Sequence, residues 1–123
     1  MSGTATHRPA LVPGPVGWEV RPARPEDAAA VATGVAALLG ELGAPPPSHA
    51  AIEAEARAHI DDPSLGIVLI AVGEGGDLVG VLTASWARAI QVPGRVLTIE
   101  VLWTRREWRD RGVGAGLVEA LGR

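Results

Sequence analysis

The 123-residue sequence contains no cysteine and no lysine. Without a thiol, disulfides, thiolate nucleophiles, zinc fingers and iron–sulfur sites are excluded. Without an ε-amine, a Walker-type phosphate loop, a Schiff-base enzyme and a pyridoxal enzyme are excluded as well. All 11 basic residues are arginine, and against 14 acidic residues they leave a formal net charge of -3. That balance disfavours a generic nucleic-acid coat or a polybasic membrane anchor. Long apolar runs are scarce too. The longest uncharged stretch of helical character, Ala28 to Gly40, has 13 residues, short of the ~18 or more that span a bilayer. No charged segment followed by an apolar one opens the chain, so no secretory signal is expected and a cytoplasmic location is the default. What remains is a chain of one domain's length, 47% hydrophobic and 20% charged, able to bury roughly two-thirds of its unfolded surface.

Residues 1–17 are rich in proline and glycine and poor in apolar surface, which predicts a flexible tail before a domain spanning 18–123. Trp18 to Pro22 reads as a short strand stopped by proline. Arg24-Pro25-Glu26-Asp27 opens a helix, with Pro25 in its first turn and two carboxylates at its positive end. Val31, Val35, Leu38, Leu39 and Leu42 recur on one face, and Gly43 with Pro45 to Pro47 ends the run. Ser48 caps a second helix to about Ile60, with a thin stripe of Ile52, Ala56 and Ile60. Ile67 to Val72 is a continuous apolar run, suited to a strand buried on both faces. The turn Gly73 to Asp77 joins it to a strand from Leu78 to about Trp86. A fourth strand runs from Arg95 to about Thr104. Strict alternation places Leu97, Ile99, Val101 and Trp103 on one face and Val96, Thr98, Glu100, Leu102 and Thr104 on the other. The order of strand, helix, helix, three strands and helix predicts an α/β (α+β) layered architecture, with helices covering a mostly antiparallel sheet.

The segment that carries chemistry follows the fourth strand. Gly112, Gly114 and Gly116 crowd the start of a helix that continues through Leu117 and Leu121, where each glycine in a helical interior costs about 1 kcal/mol relative to alanine. A helix start presents unsatisfied amides and a positive dipole end, and glycines let an anion approach them. Arg105, Arg106, Arg109 and Arg111 add positive charge immediately upstream. The dinucleotide fingerprint would need glycine where Leu117 stands and an acidic residue about twenty positions later, so it does not apply. The residues alone leave two readings, an anion site or a glycine-rich hinge beside solvated arginines.

Arg109-Asp110-Arg111-Gly112-Val113-Gly114 resembles the Arg/Gln-x-x-Gly-x-Gly/Ala signature of the GNAT superfamily of N-acetyltransferases. Leu97 to Trp103 before it resembles that family's fourth strand, Val20 to Ala28 its opening strand and helix, and Asp77 to Leu82 its third strand. The resemblance implies a GNAT-like mixed sheet and acetyl transfer from acetyl-coenzyme A to an amine of a small molecule or peptide. It implies that Arg109, Asp110, Arg111, Gly112, Val113, Gly114 and Ala115 hold the pyrophosphate through their backbone, and that Leu102, Trp103 and Thr104 pair with the pantetheine arm. Arg106, Thr104 and Asp110 depart from the family's usual proline, valine and small residue. Against the family's pattern, the sequence is expected to stop after the signature helix, before the fifth strand, fourth helix and final hairpin.

On that resemblance Glu100 is the general base, expected on an apolar strand face; as a bare residue it reads equally as a charge guarding an edge strand. The family's tyrosine acid has no counterpart, since the chain lacks tyrosine, and with no cysteine the attack is direct. Ser48, Ser64 and Ser85 lack the context of an activated nucleophile. His49 with Glu53 and Glu55 with His59 read as solvent-facing i, i+4 pairs on different helix faces, so no metal site is expected. Trp86, Trp103 and Trp108 read as packing rather than stacking surfaces. Two other readings stand beside the enzyme. One is a coenzyme A-binding module, incomplete or non-catalytic, that forms a homo-oligomer through the open edge of its fourth strand. The other is a single-stranded nucleic-acid module using residues 103–111, which the overall acidity opposes.

Overall fold

A computed structural model describes residues 12–13, 17–88, 90 and 94–122. The strands are β1 (Val12–Pro13), β2 (Trp18–Pro22), β3 (Gly66–Gly73), β4 (Leu78–Arg88) and β5 (Arg95–Thr104). They pair in sequence order, every neighbour antiparallel. The helices are α1 (Ala28–Glu41), α2 (His49–Asp61) and α3 (Val113–Leu121). Of the expected proline- and glycine-rich tail, Val12–Pro13 pair with Val20 and Glu19, and residues 1–11 and 14–16 lie outside the described residues.

Local chemistry explains where the helices begin and end. A single turn of 3-10 helix, Pro25–Asp27, leads into α1. Asp27 Oδ2 accepts from the Arg24 amide at 2.7 Å and from the Arg21 guanidinium at 2.8 Å. Burial opposes ionisation of Asp27, but the Arg21 and Arg24 hydrogen bonds outweigh it and hold the carboxyl below its ordinary value. At the other end Gly43 takes φ +76°, with its amide on the Gly40 carbonyl at 3.1 Å and the Ala44 amide on Leu39 at 3.0 Å. Those two bonds are a Schellman stop. Leu42, expected on the apolar face of α1, lies beyond its last turn as the C-cap and is 70% exposed. Ser48 caps α2 as expected, its Oγ accepting from the Ala51 amide at 3.1 Å.

Alternation along β3 and β4 gives the sheet two apolar faces. On one, α3 sets Val113 and Leu117 against Trp18, Val20, Leu69 and Leu82. On the other, Val31 of α1 meets Val68, Ile70, Val81 and Trp103. The β4–β5 ladder pairs Thr83 with Val101 but Ala84 with Ile99, leaving Glu100 as an extra residue. This bulge corrects the strict parity expected for β5: Leu97 packs with the α3-side cluster, whereas Val101 and Trp103 pack with the α1-side cluster.

Trp18 is 6% exposed, and its Nε1 has no partner among the described residues. Burying an aromatic side chain of ~150–250 Å² at about 25 cal/mol/Å² contributes roughly 4–6 kcal/mol, more than the ~1–3 kcal/mol of an unpaired polar atom. The ring fits because residue 116 lacks a side chain: a Cβ there would lie 2.5 Å from Trp18 Cη2. Gly116→Ala is therefore expected to destabilise by about 1–3 kcal/mol, read as a lower denaturant midpoint with an unchanged slope. A midpoint equal to or above wild type would show that α3 does not rest on Trp18 as described.

Candidate functional site

The connection from β5 to α3 is a tight, stapled loop. The Arg105 amide donates to the Val79 carbonyl at 2.8 Å, and its guanidinium donates to Leu78 at 2.8 and 3.2 Å. A 3-10 turn, Arg106–Trp108, follows. Asp110 then takes φ +65° and Gly112 φ +82°. Asp110 is exposed, and aspartate is among the side chains that tolerate this left-handed region.

The first bond of α3 runs from the Gly116 amide to the Gly112 carbonyl at 2.9 Å. Among the described residues no backbone carbonyl accepts from the amides of Gly112, Val113, Gly114 or Ala115. They form a row of orphan donors at the positive end of a helix dipole. The three glycines of this segment have three separate reasons. Gly112 supplies a positive φ, and Gly116 admits Trp18. Gly114 has neither constraint: a Cβ there would meet only Thr104 Oγ1, at 3.9 Å, so the position a side chain would take is open. Val113 is buried and Ala115 exposed, so Val113 can offer an anion only its amide.

The arginines expected to reinforce this charge are mostly engaged elsewhere. Arg109 grips Glu41, at the end of α1, with contacts of 2.7 and 2.8 Å, and its Nε donates to the Thr104 carbonyl at 3.0 Å. Trp103 Nε1 donates to the same Glu41 carboxylate at 3.3 Å. Arg105 is tied to Leu78, and Arg111 lies over the Trp108 ring at 4.8 Å. Trp103 is buried and Trp108 is partly buried against Gly73, so neither offers the bare ring that nucleic-acid stacking needs. Leu102 pairs with Leu82 and is 41% exposed. Among the described residues β5 pairs with β4 alone, leaving an outer edge along Leu102, Trp103 and Thr104 whose last carbonyl Arg109 already holds.

Glu100 sits elsewhere than expected. The bulge turns it toward the α1 and α2 side, where with Glu55, His59, Thr83 and Val101 it lines a cavity of about 260 Å³. It is exposed rather than buried on an apolar face, because the bulge lifts it out of the ladder. Its Oε1 accepts from Ser85 Oγ at 2.6 Å, and Ser85 Oγ lies 3.2 Å from His59 Nε2. The expected i, i+4 pair is present, His59 Nδ1 lying 3.9 Å from the exposed Glu55 Oε2, but the ring does more than pair at the surface: Nδ1 also approaches the Glu55 carbonyl at 3.0 Å. Sequence reasoning missed Ser85, His59 and Glu41 as neighbours of the site. The strand register and the bulge bring Ser85 to Glu100, and the packing of α2 on the sheet brings His59 to Ser85.

A family model described as the Acetyltransferase (GNAT) family matches residues 35–122. No curated protein matches the chain. Among solved structures, a Clostridium difficile 630 protein provisionally named an acetyltransferase superposes with TM-score 0.74 at 18% identity, over 86% of this chain and 69% of that one. An Arthrobacter sp. FB24 protein, also provisionally named an acetyltransferase, gives 0.67 at 28% identity, over 84% and 64%. A Clostridium acetobutylicum protein of the same provisional class, solved with acetyl-CoA, gives 0.71 at 16% identity, over 85% and 70%. The chain thus spans about two-thirds of the length of these relatives.

The Arg109 hydrogen bond holds the Glu41 carboxyl below its ordinary value of 4.5, aided by Trp103 and opposed by partial desolvation. The stability this clasp contributes is therefore complete above that ordinary value and is lost as pH falls through the lowered one. Glu41→Gln should lower the denaturation midpoint at neutral pH, and the two midpoints should converge in acid. A constant gap from pH 7 to pH 3 would show that the clasp carries no charge-dependent stability.

Proposed function

The chain belongs to the GNAT family of acetyltransferases, and on that premise we propose that it binds acetyl-coenzyme A at the start of α3 and transfers acetyl directly to an amine held beside Glu100. The observation that carries this reading is the row of orphan amides from Gly112 to Ala115 beneath the open space at Gly114. Such donors fit a pyrophosphate, which needs several converging N–H groups and no intervening side chains. Main chain rather than arginine supplies them, since Arg105 and Arg109 are engaged elsewhere. The outer edge of β5 at Leu102 and Trp103 offers backbone groups to an extended arm.

When bound, coenzyme A supplies the acetyl group as a reactive thioester. The chain's own task is to deliver an amine with a free lone pair. An ammonium cannot attack, so a base must take one proton, and Glu100 is the carboxylate of the cavity placed on β5 itself. Apolar walls from Val31, Val35 and Ile52 limit water around the amine, and the negative carboxylates Glu55 and Glu100 favour a cationic acceptor. No cysteine is present to carry the acetyl group covalently, so the amine nitrogen would take the acetyl group directly as the C–S bond breaks, the sulfur leaving as a thiol with the amine's second proton.

Two substitutions separate binding from chemistry. Gly114→Glu should weaken coenzyme A binding at least tenfold by isothermal titration, a loss of about 1.4 kcal/mol, while leaving the fold intact because the added side chain enters open space. An unchanged isotherm would remove the coenzyme from this loop. Glu100→Gln should slow acetyl transfer by ~100-fold or more with coenzyme A affinity retained. Equal rates in the two proteins would dismiss Glu100 as the base.

A further inference from the structure

The hydrogen-bond chain Glu100–Ser85–His59 runs from β5 through β4 to α2, and counting its hydrogens constrains what it can do. Ser85 has one hydroxyl hydrogen and two close partners, Glu100 Oε1 at 2.6 Å and His59 Nε2 at 3.2 Å. On the far side of the ring, Nδ1 faces the Glu55 carbonyl at 3.0 Å. A carbonyl only accepts, so Nδ1 must carry a hydrogen. With a neutral ring, Nε2 is then bare and only accepts. If Glu100 is also ionised, the single Ser85 hydrogen faces two acceptors and one contact goes unmade.

Adding one proton resolves the conflict in two ways. In one arrangement Glu100 is the acid: its O–H donates to Ser85 Oγ, and Ser85 donates to Nε2. In the other, Glu100 is ionised and His59 is an imidazolium: Nε2–H donates to Ser85 Oγ, and Ser85 donates to Oε1. They interconvert when the Oε1–H bond breaks as an Oγ–H bond forms, while the original Oγ–H bond breaks as an Nε2–H bond forms. No other atom moves between residues, and the total charge is unchanged.

We infer that Glu100, Ser85 and His59 act as one proton-holding unit, in which Ser85 and His59 are positioning residues that draw a proton taken up at Glu100 away from the acceptor. The role in turnover rests on the acetyltransferase reading given above; the shared proton does not. In that role, the N–H bond of the acceptor ammonium breaks as an O–H bond forms on Glu100. The relay then leaves the charge on the ring of His59, and Glu100 is again ionised. The His59 side chain is 22% exposed, so its proton can pass on to solvent. The titratable groups that line the cavity are Glu55, His59 and Glu100. The Glu55 carboxylate lies beside this ring, its Oε2 3.9 Å from Nδ1.

The test uses ¹⁵N-histidine-labelled protein at neutral pH with no coenzyme or acceptor present, and a His59→Gln variant identifies the His59 ring signals among those of His7 and His49. Glu100→Gln changes no atom of the ring, yet it is expected to move the His59 Nε2 resonance. The same substitution in a Ser85→Ala background is expected to leave that resonance where Ser85→Ala alone puts it, and in a Ser85→Thr background, which retains the hydroxyl, to move it again. Such a cycle isolates coupling through Ser85. An equal response to Glu100→Gln with and without the Ser85 hydroxyl, or no response at all, would overturn the unit. In turnover, Ser85→Ala should lower kcat about tenfold, less than the ~100-fold of losing the base, without changing the KM for acetyl-coenzyme A, and Ser85→Thr should restore it. A wild-type protein that shows the coupling but transfers no acetyl group would refute the acetyltransferase reading and leave the shared proton standing. Transfer without the coupling would do the reverse.

Discussion

Between Ile99 and Val101 the β4–β5 ladder skips a partner, and the residue left over is Glu100. Two packing demands meet at that point. Leu97 belongs to the cluster under α3, whereas Trp103 belongs to the cluster under α1, where a Cβ at Gly34 would come within 3.0 Å of its ring. The two residues are an even number of positions apart, so a regular strand would send both to one face and strand one of them in solvent. The bulge reconciles the demands by spending one residue, and a bulged residue is freed from the ladder and re-aimed. The strand's single carboxylate occupies it, which is how a charge comes to overlook the cavity without disrupting either apolar layer.

A second theme is the use of arginine in place of lysine. Guanidinium groups fork, so one of them can hold two or three acceptors at fixed angles. Arg105 clamps the Leu78 carbonyl, and Arg109 bridges Thr104 and Glu41. These clamps fix the loop before α3 from both sides and tie it to the end of α1, 68 residues away in the chain. The loop is thereby pre-shaped before any ligand arrives. Its positive character rests on the backbone amides at the start of α3, which the fold already holds in place.

Features whose causes are local were legible from residue order. Ser48 heads α2 because its hydroxyl serves an amide three residues on, and α1 stops at Gly43 because a positive φ is needed there. The limits of β5 and the position of the glycine-rich helix start follow from alternation and composition. Features that depend on register were not legible. Which face Leu97 and Val101 occupy depends on a partner strand, and the approach of His59 to Ser85 links residues 26 apart through the stacking of a helix on a sheet. The three glycines at the head of α3 were visible as a group, but their separate reasons were not, because Trp18 reaches Gly116 only after the sheet has formed. The arginine run was read as free charge for the same reason: its partners are distant in the chain.

The placement of Trp108 carries an optical consequence. The chain has four tryptophans and neither tyrosine nor phenylalanine, so its near-ultraviolet emission comes from indoles alone. Trp18 and Trp103 are buried, Trp86 stacks with Arg95 at 5.2 Å, and Trp108 lies under Arg111 within the turn that leads to α3. Displacement of that guanidinium would change the surroundings of one fluorophore out of four, giving this polypeptide a built-in reporter of events at its glycine-rich bend.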